Sequence, residues 1–140
     1  MEKQHETVEI PWKNPEQILS DNAFRVLKVL IQLEKTKPNK VKVKDIWRII
    51  NNLGKSKIYE CLKELENKGF VEHKQPYYSL KGIRLSEKRI LLETEEPIPI
   101  LLALMIKKKY PNVEIRTKKK SVWRRIRDFL TEPSIPIIEF

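Results

Sequence analysis

The stretch GKSKIYECLKELENKGFVEH, Gly54 to His73, reads as a short amphipathic helix that stops at a glycine and passes directly into a strand. Ile58, Leu62 and Leu65 recur at i, i+4 and i+7, the spacing that aligns side chains on one helical face, and they predict a buried stripe. Ser56 is placed to cap this helix, because a hydroxyl can accept from one of the backbone N–H groups left free at a helix start. The opposite face carries Lys55, Ser56, Lys57, Tyr59, Lys63 and Asn67, which can donate to phosphates or base edges. Glu60, Glu64 and Glu66 dilute its positive charge. Gly69 supplies the left-handed residue that ends a helix, and Phe70 and Val71 open the strand.

Upstream, Leu19, Ala23, Phe24, Val26, Leu27, Leu30 and Ile31 give a helical apolar face, with Asn14 as the expected cap and Pro15 in the first turn. KTKPNK, Lys35 to Lys40, is a polar connection. Val41 and Val43 predict a brief strand, and Ile46, Ile49, Ile50 and Leu53 mark a second helix, with Trp47 expected in the core. Gly54 is expected to end that helix one residue before the next begins. Downstream, Lys74, Gln75 and Pro76 make the expected turn of a hairpin. The predicted order is helix, strand, helix, helix, strand, strand.

That order resembles the winged helix-turn-helix regulators of the ArsR, MarR and PadR type, archaeal ones in particular. The resemblance runs from Asn14 to about Leu80 and is most specific in LGKSKIYECLKELENKGFVEHKQPYYSL. Family members carry a small or basic turn, a Ser-rich helix start, a Leu-x-x-Leu core pair and a glycine before the strand. Leu53, Ser56, Ile58, Leu62, Leu65, Gly69 and Phe70 stand at those places. The resemblance implies an α+β fold: a winged helix-turn-helix DNA-binding domain over residues 14–85, followed by a small basic α/β extension over residues 86–140. It further implies a transcriptional regulator whose helix 56–68 enters the major groove of double-stranded DNA, with Lys55, Ser56, Lys57, Tyr59 and Lys63 in contact and Lys74 on the hairpin beside them. The hairpin turn departs from the pattern, being shorter than a wing that reaches deep into the minor groove.

Composition agrees with a polyanionic partner. The chain has 140 residues, 40% hydrophobic and 34% charged, enough for one good core or one core with an appendage. Its formal net charge is +10, with 19 Lys and Arg against 13 acids in residues 1–94 and 10 against 6 in residues 95–140. Both parts are basic, and nucleic acid is the commonest intracellular polyanion. A solvated basic surface with no such ligand is the alternative. The single cysteine, Cys61, cannot form an intrachain disulfide, and no signal segment opens the chain, so the cytoplasm is the expected location. Cys61 itself reads as a small buried hydrophobe, with a redox-sensing thiol as the other reading. The apolar run Ile98 to Ile106, interrupted by Pro99, is far short of the ~20 residues of a membrane span.

Beyond the hairpin, Arg89 to Glu93 and Val113 to Arg116 have strand character, and Pro97 to Lys109 reads as a buried helix whose final lysines suit its negative end. A further helix is expected from Ser121 to Leu130 and a last strand from Ile135 to Phe140, giving a small parallel sheet with helical crossovers. Three strands bury little alone, so this region is expected to pack on the preceding domain or to form a homodimer, which would double the reading helix onto two half-sites. Lys118, Lys119 and Lys120 lead into a helix with Arg124, Arg125 and Arg127 on one side. These cations read either as a secondary nucleic-acid contact or, preferred here, as a solvated face over a core stripe.

Catalysis finds little support. His5 and His73 are isolated, and no HExxH, CxxC or Gly-rich phosphate loop occurs, so neither a metal nor another cofactor is expected and the chain does not read as an enzyme. Glu93, Glu95 and Glu96 form the tightest acidic group and read as a solvated loop. Two functions of different class remain: a sequence-specific DNA regulator, and an architectural or interaction subunit of a replication, partition or transcription assembly.

Overall fold

A computed structural model describes residues 15–117 of the chain. The expectations for Asn14 as a cap, for the basic series Lys118, Lys119, Lys120, Arg124 and Arg125, and for the helix from Ser121 and the last strand all lie outside the described residues.

The first helical segment is not continuous. A single turn, α1 (Pro15–Ile18), is followed by α2 (Asp21–Glu34). Ser20 is extended, and its hydroxyl accepts from the Ala23 N–H at 3.2 Å, so it starts α2 afresh. Helix α2 buries Ala23, Phe24, Val26, Leu27, Leu30 and Ile31, and also Glu34 at its end. Val41 makes an isolated bridge to Tyr78, but Val43, expected in the same strand, is the first residue of α3 (Val43–Ile49). Asp45 explains the change: its carboxylate accepts from the Lys42 N–H at 2.9 Å and closes the first turn.

Helix α3 ends at Ile49, and five residues, Ile50 to Gly54, separate it from α4 (Lys55–Asn67). The expected one-residue junction is therefore corrected. The left-handed residue in this connection is Asn52, at φ 68°, whereas Gly54 has an ordinary φ of −78° and is the N-cap of α4. Ser56 consequently lies inside the helix and does not cap it. The stripe is as expected, with Ile58, Leu62 and Leu65 wholly buried. Gly69, at φ 87°, ends the helix; the Phe70 N–H reaches the Leu65 carbonyl at 2.9 Å, the closing bond of a Schellman motif.

Strands β1 (Val71–Lys74) and β2 (Tyr77–Leu80) then form an antiparallel hairpin with Val71 opposite Leu80 and Lys74 opposite Tyr77. Its turn is Gln75–Pro76 alone, because Lys74 belongs to the ladder. Glu34 joins three parts of the chain: its carboxylate accepts from the Asn39 and Leu80 N–H groups, each at 3.1 Å. Burial pushes its pKa up, and those two bonds offset part of the effect.

The second sheet has the order β3-β4-β5. It contains β3 (Ile83–Leu85), β4 (Arg89–Leu92) and β5 (Glu114–Thr117), with β3 antiparallel and β5 parallel to β4. Helix α5 (Pro97–Lys109) is the crossover that the parallel pair needs. Its residues Pro99 to Ile106 are all buried, and Lys107 donates to the Pro111 and Val113 carbonyls at 2.6 Å each. The strands and helix expected here are present, while β3 is an addition that places the expected division at residue 85 between two paired strands. The architecture is α+β, with one hydrophobic cluster running from Leu19 to Ile115.

Two measurements check this account. Glu64 accepts from the Ser20 N–H and hydroxyl, both at 2.8 Å, and lies 3.5 Å from Lys68, which also donates to the Ile18 carbonyl at 2.6 Å. Burial alone would raise the Glu64 pKa, but these donors outweigh it and hold it below the ordinary 4.5. A depressed carboxylate pKa gives stability that is present above 4.5 and lost as pH falls through the folded-state value. Glu64→Gln is thus expected to be less stable than the parent at neutral pH and to converge on it in acid, as read by urea denaturation across pH. Glycine substitutions test the turns. Gly82 has φ 70°, and a Cβ there meets the Thr94 side chain; Gly69 has open space. Gly69→Ala should cost about 1–2 kcal/mol, the left-handed penalty alone, and Gly82→Ala more, as read by the same denaturation.

Candidate nucleic-acid interface

Because Ile58, Leu62 and Leu65 turn inward, the other side of α4 is presented to solvent. Lys55, Ser56, Lys57, Tyr59, Lys63 and Asn67 are all exposed, as their spacing predicts, and Tyr59 is 54% exposed. Their charges are not equivalent. Lys57 lies 3.5 Å from Glu60 one turn along, so part of its field is cancelled. Lys63 has no ion-pair partner among the described residues. The Lys55 ammonium sits 4.9 Å from the centre of the Trp47 ring.

Trp47 corrects an expectation, since it is 46% exposed and not part of the core. Helix α3 is two turns long, and Ile46 with Ile50 takes the inward positions, which leaves Trp47, Arg48 and Ile49 facing outward. Ile49, expected on the apolar face, is also 46% exposed, while Leu53 is half-buried against the core. Cys61 is buried, and desolvation raises its thiol pKa, as a packing residue requires.

The hairpin comes up beside the start of α4. A groove opens between Lys42, which precedes α3, Lys44 of α3, Lys55 and Tyr59 of α4, and His73 and Pro76 of the hairpin. The His73 ring stacks on Tyr78 with centroids 4.1 Å apart and an interplanar angle of 4°. Of the residues singled out from sequence, the groove brings together Lys55 and Tyr59. Ser56, Lys57 and Lys63 lie elsewhere on the exposed side of α4, and Lys74 is an exposed ladder residue 3.7 Å from Glu72.

Sequence reasoning missed a second group of cations. Lys37, Lys40, Lys42, Lys44 and Arg48 line an adjoining groove with Asp45 and Tyr77. The segment KTKPNKVKVK carries a lysine at every second or third position, and that density is its signal in the sequence, though a polar connection and a brief strand align no common face. Asp45 is committed to the structure: burial would raise its pKa, yet the Lys42 N–H and the Lys37 ammonium, 3.1 Å away, lower it. The acidic group near α5 is likewise engaged, Glu93 with Arg84 at 3.0 Å and Glu96 with Lys81 at 3.1 Å.

Among the described residues, no three His, Cys, Asp or Glu side chains are grouped to hold a metal ion, and no helix is long and apolar enough to cross a membrane. The placement of Trp47 can be checked directly. Trp47→Ala is expected to cost well under the ~3–5 kcal/mol of a buried tryptophan, measured by urea denaturation. Comparison of the chain with protein-family models, with curated proteins and with solved structures finds no match.

Proposed function

We propose that the chain is a winged helix-turn-helix DNA-binding protein that lays α4 in the major groove of duplex DNA and acts as a transcriptional regulator. The observation that carries this reading is the exposed row Lys55, Ser56, Lys57, Tyr59 and Lys63, backed by a wholly buried aliphatic stripe and flanked by the β1–β2 hairpin. A helix so braced projects donors from a rigid support, as base and phosphate contacts require. One such helix spans only a few base pairs, so the protein works on this reading as a cytoplasmic homodimer on paired half-sites, without catalysis.

Two observations favour an architectural subunit as the second reading. The hairpin turn has only two residues, and Lys57 shares its charge with Glu60, so base readout by either element is reduced. Binding at fixed salt separates the two. A regulator should prefer a duplex selected from a random pool over unselected DNA by about a thousandfold or more, whereas an architectural protein shows a steep salt slope with little preference.

Within the first reading, Lys57→Ala and Lys63→Ala should each weaken duplex binding about tenfold, the order of one charge-assisted contact, with the unfolding midpoint unchanged. Wild-type affinity in both folded variants, measured by fluorescence anisotropy, would show that α4 is not the contact face.

A further inference from the structure

We infer that Lys40, Lys42, Lys44 and Arg48 form a second contact with duplex DNA, a track for the phosphate backbone beside the α4 face. This rests on the proposed DNA-binding function and extends it to residues outside the α4 face. The two grooves described above share Lys42 and Lys44, so the surface is continuous from Tyr59 of α4 across the first turns of α3 to the loop after α2. A ligand that covers both must be long and anionic along its length.

The charge balance supports a phosphate partner. Asp45 is the one acidic residue lining the second groove, and Lys37 neutralises it at 3.1 Å. Lys40, Lys42, Lys44 and Arg48 have no ion-pair partner among the described residues. Arg48 also acts on Asp45 through space, so five cations, Lys37 included, share a single carboxylate, and the excess positive charge is a repulsion that a polyanion relieves. The Lys42 ammonium stands 5.7 Å from the centre of the Tyr77 ring, whose hydroxyl is a further donor type suited to a phosphate oxygen.

The loop is also pinned before any ligand arrives. Asn39 is left-handed at φ 61°, and its N–H donates to the buried Glu34 carboxylate at 3.1 Å. The Lys40 N–H bonds the Lys37 carbonyl at 3.1 Å. Lys40 therefore rides on a fixed backbone, which reduces the ordering cost of binding. Contacts of this kind set the protein's orientation on the duplex and read no sequence.

The test is the salt dependence of duplex binding for Lys40→Gln/Lys44→Gln, for Arg48→Gln alone, and for Lys88→Gln/Arg89→Gln as an equal charge change on the second sheet. Each phosphate contact contributes about 0.9 to the slope of log K against log salt, so the first variant should lose about 1.8 and the second about 0.9. Affinity should fall by the same factor for selected and random duplexes, and the control pair should leave the slope near wild type. A wild-type slope in both groove variants overturns the inference and leaves α4, probed by Lys57 and Lys63, untouched. An equal loss in the control pair, a loss of sequence preference in place of slope, or a defect confined to single-stranded DNA overturns it as well. A loss in the groove variants while the α4 variants bind normally supports this track and removes the α4 reading instead.

Discussion

Ile58, Leu62 and Leu65 leave water together on one face of α4, and the direction in which every other α4 side chain points follows from that burial. Removing three such side chains from solvent is worth about 1.5–3 kcal/mol each. The surface pair Lys57–Glu60 on the outer face is worth at most about 1 kcal/mol. The aliphatic side therefore sets the rotation of the helix, and the cations are presented as a consequence. The same rotation places Lys55 over Trp47 and Tyr59 beside the hairpin.

Polar ties hold the ends of this arrangement where apolar packing is non-directional. Glu64 reaches back to Ser20 at the start of α2, and Lys68 reaches the Ile18 carbonyl, so α4 is fastened to the front of the helix it packs on. At the other end of α2, Glu34 holds the hairpin through Leu80 and the lysine-bearing loop through Asn39. The grooves beside α4 thus have walls whose backbone positions are set by hydrogen bonds to one helix.

Much of this was legible in the chain, and the misses share a cause. The α4 stripe could be read because it repeats a period over several turns, the stop at Gly69 because glycine there has one conformational use, and α5 because a continuous apolar run opens at Pro97 and closes on three lysines. Helix α3 is seven residues long, too short for periodicity to tell Ile46 from its neighbour Trp47, and so the exposed tryptophan was misplaced. Strand β3 is three residues and shows a single alternation. The helix start went to Ser56 on side-chain preference, while the backbone turned at Gly54. The lysines from Lys37 to Lys44 lie largely on a loop and a short helix start, where no period aligns them, and only the fold brings them to one surface.

The two carboxylates fastened to α2 answer acid in opposite senses. Glu34, whose pKa is raised chiefly by desolvation, takes up a proton before an ordinary carboxylate does as pH falls, which relieves a buried charge but takes acceptor capacity from the bonds to Asn39 and Leu80. Glu64, whose pKa is depressed, loses its grip on Ser20 only at still lower pH. Acid therefore reaches the carboxylate at the hairpin end of α2 before the one at its start, so the ties to Leu80 and Asn39 change character first and the fastening of α4 to Ser20 outlasts them.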